Sequence, residues 1–275
     1  MLLLRLLNET SLWLMIPGLL LVLVFYSVGL MLFCRKRWGP SRLKVNNEVA
    51  GFKFSVIGVL YAVLLAFIVV VVWQDYSDTA KAVRNEAEAV GDLNALSFAL
   101  PDPEAIRIRT LVTQYAVQVR QNEWQTMTQG LPSQTTAHAL AHLTHAIFSL
   151  QATEVRDPIL QQSLQLLATI QDNRNERLDS ANGSVPPIVW LVLIGGAVIT
   201  LGYPAFFGTS SIAAQTIMTA ALAALVALAL LPAILLDFPF TGSATLSSNA
   251  FEEVLQRAPP YSEEHPVKGT DDAPH

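Results

Sequence analysis

No proline occurs between Asp75 and Leu100, the only glycine there is Gly91, and just upstream lies an apolar run from Phe54 to Trp73. With the preceding Asn47-Glu48-Val49-Ala50-Gly51, this reads as a single unbroken helix. From Phe54 to Ala99 such a helix is roughly 69 Å long at about 1.5 Å per residue. A bilayer core accounts for only about 30 Å of that length. Over half of the helix must therefore stand in water or against other protein. Any fold for this chain has to house a rod that starts in lipid and continues far past it.

Composition shows how the rod is accompanied. Of the 275 residues, 14% are charged and 52% hydrophobic, whereas a soluble domain carries about 25% charged residues. The shortfall is concentrated in four apolar blocks, Leu12–Phe33, Phe54–Trp73, Ile188–Phe207 and Ile212–Leu236. These predict an all-α membrane protein with four transmembrane helices. The first block exceeds the roughly 7–15 residues of a secretory h-region. It ends Phe33-Cys34-Arg35-Lys36-Arg37 with no small-x-small cleavage site, so it reads as a retained anchor behind a weakly basic start at Arg5. The net charge of -5 leaves no basic face for nucleic acid. A single cysteine, Cys34, excludes an intrachain disulfide.

The segment 74–186 predicts an antiparallel helical bundle outside the lipid, with the second span continuing into it as the projecting helix. Ala80, Val83, Ala87, Val90, Leu93 and Leu96 recur at three and four. Asp102-Pro103 and Asp157-Pro158 read as cap-plus-proline helix starts, and Ser133 as another N-cap. The intervening helices carry apolar faces through Ile108, Val112, Tyr115 and Val119, through Leu140, Leu143 and Ile147, and through Leu160, Leu164, Leu167 and Ile170. The chain thus divides into 1–73 (two spans and a basic loop 34–53), the bundle 74–186, a membrane hairpin 187–240 and a C-terminal segment 241–275. A short helix is expected near Asn249–Gln256, and the Pro- and charge-rich tail from 258 is expected to be disordered.

Six basic residues lie in 34–53: Arg35, Lys36, Arg37, Arg42, Lys44 and Lys53. The far ends of the second and third spans carry Lys81 and Arg84, and Arg174 and Arg177. The positive-inside bias places the 34–53 loop in the cytoplasm and the bundle outside, in a bacterial inner membrane.

Gly51, Ser55, Gly58, Ala62 and Ala66 form a small-residue stripe for close helix packing, within one subunit or between identical copies. Tyr61, Leu65 and Ile68 lie off it, facing lipid or a narrow apolar constriction. No ionisable residue interrupts Phe54–Val72 or Ile188–Leu236, which disfavours a proton-coupled transporter. Arg174 and Arg177 read as a solvated helix end or as an anion-attracting vestibule. His138, His142 and His145 share a helix face, but two turns separate the outer pair, so a solvated face is preferred to a metal site. No catalytic triad, phosphate loop or zinc motif is present in the sequence, so no catalytic residue, metal or cofactor is assigned.

Asn46-Asn47-Glu48-Val49-Ala50-Gly51, Phe54, the run Gly58–Phe67, Trp73, Glu86-Ala87 and Leu100-Pro101 together resemble the bestrophin-like family of bacterial membrane proteins. So do Arg174, Arg177-Leu178, Pro186 and Trp190, and the exit motif Asp237-Phe238-Pro239-Phe240-Thr241-Gly242. The resemblance spans roughly residues 15–257. It implies kinship with bestrophins, pentameric chloride channels with four spans per subunit whose long segment between the second and third spans is cytosolic. The charge bias of this chain points the other way and is preferred here; no pore residue is carried over. The resulting expectation is a homo-oligomeric passive pathway for chloride or another small anion, with membrane lipid as its surroundings. Its rivals are a non-conducting scaffold or envelope sensor and a transporter accessory subunit.

Overall fold

The computed structural model describes residues 12–45, 47–152 and 155–257. The basic start at Arg5, Asn46 of the first motif and the tail from 258 lie outside the described residues.

The described residues form helices without strands. Helix α1 (Leu12–Trp38) is followed by the short α2 (Pro40–Lys44) and the rod α3 (Asn47–Leu96), which ends in a 3-10 turn, Ser97–Ala99. Then come α4 (Glu104–Gln118), a π-helical turn (Val119–Glu123), α5 (Trp124–Met127), α6 (Gln134–Ser149) and α7 (Asp157–Ser180). The hairpin is α8 (Pro187–Gly202), a 3-10 turn (Tyr203–Phe206) and α9 (Ile212–Leu236), and α10 (Asn249–Arg257) closes the order. Among the described residues, four helices are long and apolar enough to cross a membrane. The expected rod is present, unbroken past Trp73.

Local chemistry accounts for three of the helix starts. Ser133 accepts from the Thr136 N–H, and Ser211 from the Ala214 N–H, each as an N-cap. Pro187 occupies the first position of α8, where its missing N–H costs nothing. Two expected caps fail. Pro103, not Asp102, stands at the cap of α4, and Arg156 caps α7 while Asp157 sits inside its first turn. Neither aspartate therefore stands at the cap position itself.

The expected loop 34–53 is mostly helix. Nothing between Phe33 and Trp38 breaks α1, and Gly39, at φ 79°, supplies the turn before α2. The basic residues therefore ride on helices.

Two apolar cores share α3. In the membrane part, Tyr61, Leu65 and Val72 pack with Trp190, Leu193, Ala197 and Leu201 of α8, and with α9. In the bundle, Val83, Val90 and Leu93 pack with residues of α4, α6 and α7. Phe251 of α10 is wholly buried in the same core.

Candidate functional site

Within the membrane, α3 has one packed side and one open side. Tyr61 and Leu65 are each 6% exposed and Ile68 is half-buried against the same core. The Tyr61 ring lies where a Cβ on Gly196 would come within 2.6 Å of it, so the glycine provides the notch that receives the ring. Of the three residues expected at a constriction, Tyr61 and Leu65 thus pack into the subunit's own core, and Ile68 lies partly buried beside them. The open side runs along the middle of the span through Phe52, Val56, Val59, Val63 and Val70, all about half exposed or more. Ser55, Ala62 and Ala66 of the small-residue stripe flank it and are exposed, while Gly51 and Gly58 are half-buried. Nothing lies within 4 Å of a Cβ placed on Gly58.

Beyond the lipid, α3 meets a buried charge network. Arg177 is fully buried. Its Nε donates to Glu86 Oε2 at 2.7 Å, and its Nη2 to Glu86 Oε1 at 3.0 Å and Glu123 Oε2 at 2.8 Å. Arg174 donates to both oxygens of Glu123, at 3.1 and 2.6 Å. The Tyr115 hydroxyl donates to Glu86 Oε1 at 2.6 Å. The guanidinium of Arg177 also lies 5.5 Å from the ring centre of Trp124. Two arginines thus face two carboxylates, and the site is neutral overall.

Burial works against the charge on Arg177, but Glu86 and Glu123 outweigh it and hold the arginine's pKa above its ordinary value. Burial likewise pushes Glu123 up, and the adjacent arginines overcome it to leave the carboxyl below its ordinary value. Burial, reinforced by Glu86, holds the Tyr115 hydroxyl well above its ordinary 10.0. Both readings of Arg174 and Arg177 from sequence are corrected. These arginines are neither solvated nor available to a passing anion, because carboxylates of the same chain occupy their donors.

A second polar cluster joins the bundle to the hairpin. Asp237 accepts from the N–H groups of Ser184 at 3.0 Å and Val185 at 2.9 Å, and from Trp190 Nε1 at 3.0 Å. Burial outweighs these bonds and holds its carboxyl above the ordinary value. Asp75 stands nearby on α3, just past the apolar span, with Oδ2 buried and unpartnered. Burial raises its pKa; a Ser184 hydrogen bond opposes this, and Asp237 and Asp78 add to the rise. The rest of the exit motif orders the chain after α9. Pro239 O accepts from the Leu246 N–H at 2.8 Å, Phe240 meets Trp124 edge-on at 5.5 Å, and Gly242 turns at φ 72°.

At the opposite pole, Asn47 brackets the backbone of one residue, Gly208. Its Nδ2 donates to Gly208 O at 2.7 Å and its Oδ1 accepts from the Gly208 N–H at 3.0 Å. A Cβ on Gly208 would lie 2.5 Å from the backbone N of Lys44. Backbone cannot give way, so only glycine lets α2 seat this closely. Arg35 ties the same corner to Thr209 O at 3.0 Å and Gln215 Oε1 at 2.8 Å. Glu48 is exposed in the first turn of α3, and Trp73, 60% exposed, marks the other membrane edge.

His138, His142 and His145 are exposed on α6. Among the described residues no three His, Cys, Asp or Glu converge on one point. The sequence reading missed Tyr115 and Glu123 as network members. Tyr115 falls on an apolar face and reads as core; Glu123 is turned inward by the π-helical turn, which 3.6-residue periodicity does not reveal.

The comparisons agree with this architecture. The bestrophin-like domain profile matches residues 21–251. A substituted form of a bacterial bestrophin homologue from Klebsiella pneumoniae is similar, with a TM-score of 0.70 at 16% identity, covering 88% of this chain and 96% of that one. A second variant of that homologue gives a TM-score of 0.62 at 18% identity, covering 88% and 97%. A solved chain described only as a membrane protein gives 0.67 at 17% identity, covering 88% and 96%. At these identities the likeness is one of fold. No curated protein matches the sequence. A four-span helical fold around one continuous rod, and a profile match over most of the chain, agree: this protein belongs to the bestrophin-like family.

Proposed function

We propose that several copies of this chain assemble about an axis and form a passive pathway for chloride or another small anion, with α3 of each copy facing that axis. The observation that carries this reading is the open side of α3. One side of the helix is buried in its own subunit, while Phe52, Val56, Val59, Val63 and Val70 stay about half exposed or more among the described residues. Ser55, Ala62 and Ala66 beside them let α3 of the next copy approach closely. The valines then form an apolar constriction that controls passage through wetting. The absence of any ionisable residue in Phe54–Val72 fits a passive route.

The orientation of the proposal follows the exposed charge: the basic pole lies in the cytoplasm and the bundle outside, in a bacterial inner membrane. Arg174 and Arg177, buried in ion pairs, take no part in that balance. A protease-accessibility assay on right-side-out vesicles tests it; protection of the bundle reverses it.

Reconstituted full-length protein should release chloride from loaded liposomes, and the detergent-solubilised form should be larger than one chain. A correctly assembled oligomer that passes no anion overturns the channel reading and leaves a scaffold or sensor acting through the bundle. A stable monomer removes the axis altogether.

A further inference from the structure

We infer that the pole built around α2 is a docking surface for the headgroups of anionic phospholipids. Lys36 and Arg37 end α1, Arg42 and Lys44 ride on α2, and Lys53 lies nearly two turns into α3; all five are exposed. None of them has an ion-pair partner among the described residues. Glu48 is the one acidic residue between 34 and 53. The five cations flank the facing ends of the first two apolar spans.

Two further features separate this surface from an ordinary basic loop. The first is its apolar company. Val45 exposes 80% of its surface and Phe33 63%, so acyl-chain contacts and cations lie side by side. A dissolved anion has no use for that apolar surface, whereas a phospholipid meets both parts at once. The second is rigidity. The close seat of α2 on Gly208, the Asn47 bracket and the Arg35 tie fix the cations before any lipid arrives. Less ordering is then required on binding.

The other membrane edge lacks this arrangement. Lys81 is paired with Asp78 at 2.7 Å and Arg174 and Arg177 are paired inside the bundle, which leaves Arg84 as the one exposed cation of the four without an ion pair among the described residues, while Asp75 and Asp237 are acidic. Lipid preference should therefore be confined to one pole. Each cation close to an anionic surface strengthens attachment roughly fivefold.

The test uses the full chain in neutral detergent, with added dioleoyl-phosphatidylglycerol or dioleoyl-phosphatidylcholine. Native mass spectrometry counts bound lipids, and the unfolding temperature is followed in parallel. Phosphatidylglycerol should occupy the protein at least about fivefold more than phosphatidylcholine and should alone raise the unfolding temperature. The variant K36Q/R37Q/R42Q/K44Q/K53Q should lose the preference, and about 0.5 M salt should weaken it in the wild type. If that variant aggregates, R42Q/K44Q decides the matter through a partial loss. Equal binding of the two lipids, an unchanged preference in R42Q/K44Q, or full stabilisation by glycerol 3-phosphate alone overturns the proposal.

Discussion

Replacing Arg177 with methionine tests whether the charge network holds the bundle together. Met keeps a long apolar stem but removes every donor. Glu86 then loses both of its arginine bonds and keeps only Tyr115, while Glu123 retains Arg174. One carboxylate is left fully buried with no cation against it. Breaking a buried pair in this way costs about 3–5 kcal/mol. At about 2–4 °C per kcal/mol for a large domain, the unfolding temperature should fall by roughly 10 °C. Arg174→Gln is the internal comparison. Its side chain is 10% exposed, and Glu123 keeps the 2.8 Å bond from Arg177, so the loss should be no more than about 1.5–3 kcal/mol. Combining Arg177→Met with Glu86→Gln removes the stranded charge and should recover part of the loss. Trp124, beside the guanidinium, gives a fluorescence signal local to the site. Equal losses from the two single variants, or less than about 1 kcal/mol from Arg177→Met, would refute the reasoning.

Other outcomes follow from the same contacts. Glu123 has a lowered pKa, so its contribution is complete above its ordinary 4.5 and should drain away as pH falls through the folded value. Tyr115 has a raised pKa, so its contribution should hold below 10.0 and fade above it; chemical unfolding across pH checks both arms. Asp237→Ala strands three N–H donors and should cost about 1–3 kcal/mol in unfolding free energy. Asp75, by contrast, has a raised pKa, so it favours the fold at low pH and loses that effect as pH rises. Asp75→Asn should therefore leave the unfolding temperature at pH 7 unchanged or higher, with the difference vanishing in acid. Tyr61→Ala empties the notch at Gly196 and should cost about 3–5 kcal/mol as a stability loss; a conductance change without any stability loss would return Tyr61 to the pore. Val63→Ser should raise anion flux in liposomes by easing wetting, and unchanged flux would move the constriction elsewhere.

The rod, the four spans and the bundle were legible because each is written as apolar periodicity and helix punctuation. Ile212–Leu236 shows this most plainly: a serine cap opens it and polar Asp237 ends it. Which side of α3 is open was not legible. Tyr61 and Val63 are both apolar residues of one span, and only Gly196, 135 positions beyond Tyr61, makes the first a core residue. The arginines were visible as a motif, but their acceptors lie 91 and 54 positions away from Arg177, on other helices. Periodicity describes one helix at a time, so pairings of that range escape it. The connection 34–53 between the first two spans is mostly helix for a more local reason: Lys and Arg are good helix formers.

The unbroken course of α3 through both apolar cores has a mechanical consequence. A helix without a hinge cannot absorb movement along its length, so it acts as a lever. The part beyond Trp73 extends about 35 Å at the helical rise. A tilt of about five degrees in the bilayer would sweep the far end by about 3 Å, the width of one side-chain contact. Whatever grips the distant tip would therefore move with any tilt of the span, and hold the span against tilting.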